Sequence, residues 1–265
     1  MTTSNKHVMS PMDYVPDLSL LARLNRRRVF WKKTAPIHAP TQSIITFSFD
    51  DFPKSAADTG AEIVESIGAK AIYYACSGLA GCVNRTGEQY VDTDMLALDR
   101  AGHEIGAHTH THLDCSRAST DAVMRDISEN LDQLKQMGLT KSVDHFAYPY
   151  GETTTELKTA LKDKFLTARG IRTGINAKGA DRMQLTAVEL KPDTATTAQA
   201  LAAIERANTT PAWLHIFTHD ITANPSPFGT TPQELKKIVK KARDSGIRVA
   251  TPREAMPLYG ASFDI

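Results

Sequence analysis

Two adjacent carboxylates close the apolar run Ile44-Ile45-Thr46-Phe47-Ser48-Phe49-Asp50-Asp51, and Phe52-Pro53 ends it. Successive side chains of a strand point to opposite faces, but the backbone relaxes at the last residues, so both acids can enter one pocket and do different work. A second run, Glu104-Ile105-Gly106-Ala107, leads into His108-Thr109-His110-Thr111-His112, three imidazoles at alternate positions. If this segment turns into a helix, His108 and His112 share a face at i, i+4 and suit one metal, with His110 turned away; if it stays extended, all three share a face. One aspartate of the Asp50-Asp51 pair with two of these imidazoles leaves open positions on a divalent ion, as catalytic sites do. In a third block, Phe146-Ala147 runs into Tyr148-Pro149-Tyr150-Gly151, a tight turn whose amides can face a developing oxyanion. The fourth is Trp213-Leu214-His215-Ile216-Phe217-Thr218-His219-Asp220; His215, Phe217 and His219 share a face, and only His219 sits at the strand end. His38, His103 and His145 have no such context and read as structural.

The elements that must position these residues alternate strand and helix periods from Ser43 onward, the pattern of a parallel α/β fold. Strands are expected over 43–49, 71–75, 104–107, 144–147, 166–169, 185–190, 213–218 and 247–250. The spacing of Val123, Ile127, Leu131 and Leu134 predicts a helix over 120–137, ended at Gly138. Thr231-Pro232-Gln233-Glu234 opens another over 231–245, and Thr196-Thr197-Ala198-Gln199 starts a third. About seven strand–helix units favour a barrel over an open sheet, and in either architecture chemistry sits at the C-terminal strand ends. All four blocks fall there. The loops 77–92 and 221–230 follow strand ends and are candidates for the binding rim.

The 265 residues, 41% hydrophobic and 23% charged, suffice for one large domain. With 31 basic and 30 acidic residues the net charge is +1, which gives no reason to expect nucleic acid as a partner. Cys76, Cys82 and Cys115 fit free thiols in a reducing compartment, with a Cys76–Cys82 bridge left open. No apolar run reaches the roughly 20 residues of a spanning helix. The leucines at 18, 20, 21 and 24 precede Arg26-Arg27-Arg28, the reverse of a secretory signal, so a cytoplasmic protein is expected. Residues 1–40 read as an arm with one short helix starting at Pro16-Asp17 and ending before Pro36, and 41–265 as the main domain. The arm's leucine face and Trp31 suit either docking on that domain or peripheral contact of residues 16–33 with an anionic inner membrane face.

The four blocks in this order resemble the polysaccharide deacetylases, the NodB homology domain of carbohydrate esterase family four, over roughly residues 43–256. Ser48-Phe49-Asp50-Asp51, His108-Thr109-x-x-His112, Tyr148-Pro149-Tyr150-Gly151 and Thr218-His219-Asp220 carry the resemblance. It implies a distorted seven-stranded (β/α) barrel of TIM-like kind and metal-dependent hydrolysis of an N-acetyl group from an amino sugar. It further implies Asp50 as general base, Asp51, His108 and His112 as metal ligands, Tyr150 as oxyanion donor through its N–H, and His219 as general acid. The metal expected from two His and one Asp is zinc, with cobalt an acceptable substitute. Many members carry an arginine where Ala147 stands, and the aspartate-rich fourth motif is replaced by Ala168-Arg169-Gly170-Ile171-Arg172; Arg169 is the candidate to supply the missing charge to Asp50. The form without arginine looks more like deacetylases of bacterial adhesive exopolysaccharides, of poly-N-acetylglucosamine and holdfast type. The substrate expected is an N-acetylated glycan, free or lipid-linked.

Two other readings compete. An amidohydrolase or PHP-type hydrolase also begins from clustered His-x-His, but would hold two or three ions. A silent carbohydrate-binding relative would have little use for Asp50.

Overall fold

In the computed structural model, residues 14–259 are described, and the strand β1 (Ile44–Asp51) lies at the centre with every residue buried. Its alternation sorts two environments. Ile45, Phe47 and Phe49 pack outward into the main apolar cluster with Leu235, Ile238 and Val239, whereas Thr46 and Asp50 meet polar partners inside. The other strands are β2 (Ile72–Ala75), the hairpin pair β3 (Val83–Asn84) and β4 (Gly87–Glu88), β5 (Glu104–Ala107), β6 (His145–Ala147), β7 (Thr167–Arg169), β8 (Val188–Glu189), β9 (Trp213–Thr218) and β10 (Arg248–Val249). The large sheet runs β7-β6-β5-β2-β1-β9-β8, parallel throughout, with β10 beside the start of β1. It curls into a half-barrel, the distorted form expected from the sequence. Parallel strands covered by helices need apolar residues outside, and the polar residues are left to face the interior.

The helices are α1 (Leu20–Trp31), α2 (Ala61–Glu65), α3 (Asp92–Ala101), α4 (Thr120–Gln136), α5 (Thr155–Leu161), α6 (Thr194–Thr209), α7 (Pro232–Asp244) and α8 (Pro252–Ala255). Ser119 and Thr231 cap α4 and α7 by accepting the N–H groups of Ala122 and Glu234. The start expected at Thr196 is moved: Asp193 caps α6 and accepts the Thr196 N–H at 2.7 Å, which places Thr196 inside the first turn. The strand expected over 185–190 is shorter, because Leu185 makes only an isolated bridge to Arg169 before β8 begins. All three cysteines are free, so the Cys76–Cys82 bridge left open by the sequence does not form.

For the arm, the sequence left docking on the domain and an outward apolar face both open. Residues 34–37 do dock: Thr34 and Ala35 N–H groups bond Asp181, and Val29 is buried. Lys158, itself fully buried, donates to the carbonyls of Val29 and Lys32 at the end of α1. The leucine face and Trp31 do not dock, and are 61–79% exposed. The contact available to α1 is already made by Val29 and by Arg26, whose guanidinium bonds Glu152.

At the N-terminal end of the interior, Glu104 lies 3.3 Å from His145 and accepts the Arg253 N–H. Burial pushes its carboxyl above the ordinary 4.5 to about 7, against the pull of the Arg253 N–H and guanidinium. A carboxyl with a raised folded-state pKa is penalised once ionised, so stability falls as pH rises from about 4.5 to about 7. Glu104→Gln keeps the shape and removes the ionisation. Its stability relative to the native chain should be near equal at pH 4.5 and greater at pH 8 by on the order of 3 kcal/mol, read from denaturant midpoints at both pH values. Parallel pH dependences of the two chains would refute this.

Candidate active site

The C-terminal strand ends converge on a cavity of about 310 Å³ that contains Asp50, Asp51, His108, His112, Tyr150 and His219. Backbone alternation alone would turn Asp51 away from Asp50. Positive φ at Asp51 (61°) and Phe52 (72°) turns the chain so that both acids line the same space.

The His108–His112 segment is neither the helix nor the extended run that spacing allows. Thr109 (φ 61°) and His112 (φ 55°) are left-handed, and the resulting loop brings His108 and His112 together at 5.0 Å between ring centroids. Asp126 of α4 holds this loop by accepting the N–H groups of His110 and Thr111 and the Thr111 hydroxyl. His110 turns to Ser77 instead, at 2.8 Å. Its carbonyl accepts the Gly78 N–H so closely that a Cβ on Gly78 would sit 2.3 Å from that oxygen.

Asp51 Oδ1 stands 3.1 Å from His112 Nε2 and 3.5 Å from His108 Nε2. His108 Nδ1 donates to the Ala147 carbonyl at 2.8 Å, which fixes the proton there and leaves the lone pair of Nε2 free to ligate a metal. Asp51 Oδ1 and His112 Nδ1 are buried without an aligned hydrogen bond. Burial pushes the Asp51 carboxyl up, but His112, then His219 and His108, more than offset it and hold it well below the usual carboxylate range. Burial lowers His108 to about 4, with His112 acting in the same direction. An anionic carboxylate at Asp51 and a neutral imidazole at His108 are forms that a divalent cation binds. Asp51, His108 and His112 therefore fit such an ion, and they are the one such group among the described residues.

Asp50 is not in that group. Its carboxylate accepts from Arg169 Nη2, and the guanidinium, wholly buried, lies between Phe217 and Tyr74 at 4.5 and 5.1 Å from their ring centroids. Ala147 and Arg169 are register partners across β6 and β7, so an arginine at either position starts from the same depth of the barrel. Tyr150 has φ 58° in a turn whose bonds run from Gly151 N–H to Tyr148 and from Glu152 N–H to Pro149, and its own N–H is in neither. His219 Nδ1 lies 3.2 Å from the Phe228 carbonyl, leaving Nε2 for the cavity. Asp220 does not pair with His219. It anchors the following loop through the Ser226 N–H and hydroxyl.

Of the two expected rim loops, only Arg85 and Phe228 reach the cavity. Sequence reasoning missed Tyr14 and Pro16 from the arm, and Ile171, Glu189 and Lys191. Tyr14 stacks on Tyr150 with centroids 3.8 Å apart, and Arg117 lies over its ring. No motif or period in the arm signals this contact. Glu189 ends β8 and Lys191 lies just past it, and this strand-end position is the signal that could have found them.

Residues 38–168 match the family model described as polysaccharide deacetylase. Similar solved structures include a CE4-family pseudoenzyme from Bacillus anthracis (15% identity, TM-score 0.59, 84% of this chain and 69% of that one). The CE4 domain of a multidomain xylanase from the hindgut metagenome of Trinervitermes trinervoides aligns at 18% identity and TM-score 0.60, over 85% of this chain and 95% of that one. A family 4 acetyl xylan esterase from Clostridium thermocellum, in complex with cobalt, aligns at 22% identity and TM-score 0.57, over 81% and 91%. No curated protein matches the chain. Residues 38–168 are thus similar to the polysaccharide deacetylases, and the fold is that of the CE4-domain structures over more than four fifths of the chain.

Proposed function

We propose that this protein is a metal-dependent hydrolase that removes the N-acetyl group from N-acetylated amino sugars, acting on carbon–nitrogen bonds other than peptide bonds. The observation that carries the reading is Asp50: a carboxylate outside the donor group, held by a buried guanidinium, lines the same cavity as that group. A site that only bound sugar would have little use for it. Asp51, His108 and His112 would hold the cation, with zinc favoured and cobalt acceptable. Bound there, a divalent cation polarises the acyl carbonyl and lowers the pKa of water from 15.7 toward roughly 7.

Asp50 takes a proton from the attacking water at its carboxylate, and Arg169 keeps that carboxylate aimed into the cavity. Oxygen adds to the acyl carbon, and the charge that develops on the carbonyl oxygen faces the Tyr150 N–H. His219 then gives a proton to the amine nitrogen as the carbon–nitrogen bond breaks, leaving acetate and a free amino sugar. The arm of residues 1–40 adds Tyr14 and Pro16 to the wall of a catalytic unit formed by residues 41–265.

The absence of arginine at Ala147 supports an exopolysaccharide substrate of poly-N-acetylglucosamine or holdfast type, or its lipid-linked precursor. Three free cysteines support a cytoplasmic setting for the step, before export. A single donor group among the described residues favours one ion over the two or three of an amidohydrolase or PHP-type site.

Purified protein should release acetate from short N-acetylglucosamine oligomers, lose that activity on chelation, and regain it with zinc or cobalt at one ion per chain. Silence on both free and lipid-linked oligomers from protein that holds one ion would instead favour the catalytically silent binding relative.

A further inference from the structure

Six of the nine large apolar side chains exposed among the described residues, Val15, Leu18, Leu20, Leu21, Leu24 and Trp31, fall between residues 15 and 31. At about 100° per residue, Leu20, Leu24 and Trp31 lie within about 40° of one another on α1, and Val29, the buried residue that seats the helix, lies opposite. The stripe therefore faces away from the barrel. Arg23 and Arg27 flank it on one side and Arg28 on the other, all exposed, and residues 18–33 contain no acid. Arg26, on the seated side, is already paired with Glu152.

We propose that α1 docks this protein on an anionic lipid surface, with Leu20, Leu24 and Trp31 entering the acyl boundary and Arg23, Arg27 and Arg28 meeting lipid phosphates. An apolar stripe with a cationic border has the charge complement of such a surface. A second copy of the chain would bring like-charged borders together, which disfavours self-association through this face. The stripe also has a fixed relation to the cavity, because Tyr14 and Pro16, a few residues before α1, form part of the cavity wall. A seated α1 holds the cavity mouth beside the lipid headgroups, where a glycan carried on a lipid would present its sugars. The docking itself does not depend on the hydrolytic reading, since it can be measured without turnover.

The test is co-sedimentation of the full chain with phosphatidylcholine vesicles, with and without phosphatidylglycerol. Binding is expected only with the anionic lipid, and to weaken as salt is raised. Arg27→Gln with Arg28→Gln should lower the partition coefficient about 25-fold, at roughly five-fold per basic residue near the surface. Leu20→Ser with Leu24→Ser should abolish binding, while acetate release from soluble oligomers stays unchanged in both variants. Trp213 is fully buried, so a blue shift of tryptophan emission on vesicles reports Trp31 entering the interface. Three results would overturn the proposal: no sedimentation with phosphatidylglycerol, equal binding to both vesicles, or a dimer in solution that the leucine variant converts to monomer.

Discussion

Asp50→Asn is expected to lower acetate release by on the order of 10²–10⁴ while the protein keeps its metal. The carboxamide has the same shape and its oxygen can still accept from Arg169 Nη2, so the packing around Phe217 and Tyr74 is retained. What it cannot do is take a proton. Metal content separates this role from the neighbouring one. Asp51, His108 and His112 form the donor group without Asp50, so a variant at Asp50 should hold as much zinc as the native chain, whereas Asp51→Asn should hold much less. Turnover near the native rate in Asp50→Asn would remove Asp50 as the base. Loss of metal along with activity would move it into the ligand set.

Arg169→Met should destabilise the protein by about 3–5 kcal/mol, a drop in Tm on the order of 10 °C. The cause is Asp50 rather than a lost contact. Removing the guanidinium leaves a buried carboxylate with no opposite charge, and that desolvation cost is what the variant would expose. The double variant Arg169→Met with Asp50→Asn should therefore recover most of the lost stability, because it has no buried charge left to compensate. Turnover should fall in the single variant and not return in the double. If both variants were equally unstable, Arg169 would be acting through its packing on Phe217 and Tyr74 alone. Full turnover in Arg169→Met would end its role in orienting Asp50.

The strands were legible because each is a short apolar run followed by a chemically distinctive residue, and helix–strand alternation fixes their parallel order. Asp50 and Asp51 could be placed at one pocket from their position alone. The shape of the histidine segment could not, since it turns on left-handed backbone at Thr109 and His112, and a β-branched threonine gives no sign that it will adopt φ 61°. Arg169 was found through a charge missing elsewhere. The sheet register supplies the reason that inference was available: Ala147 and Arg169 lie side by side, so the vacancy on β6 and the candidate on β7 occupy one level of the barrel. Tyr14 was beyond reach, because its stacking on Tyr150 joins residues far apart in sequence with no repeated pattern between them. Which way the leucine face of α1 points was left open for a related reason: sequence shows that a helix has an apolar side, not which side its neighbours will accept.

Among the described residues, the five non-glycine residues with positive φ are Asp51, Phe52, Thr109, His112 and Tyr150. Left-handed backbone costs such residues roughly 1–2 kcal/mol each, so selection for heat resistance would press on all five together. Glycine would relieve the strain at any of them. At Asp51 and His112 it would delete a donor, and at Phe52 a fully buried ring stacked 4.3 Å from Tyr90. Thr109 is the position where relief would remove least, since its hydroxyl accepts only the Leu113 N–H. A lineage moving to higher temperature would thus be expected to gain stability in its helices and surface loops, to admit glycine at Thr109 first, and to leave the other four residues the slowest-changing part of the chain.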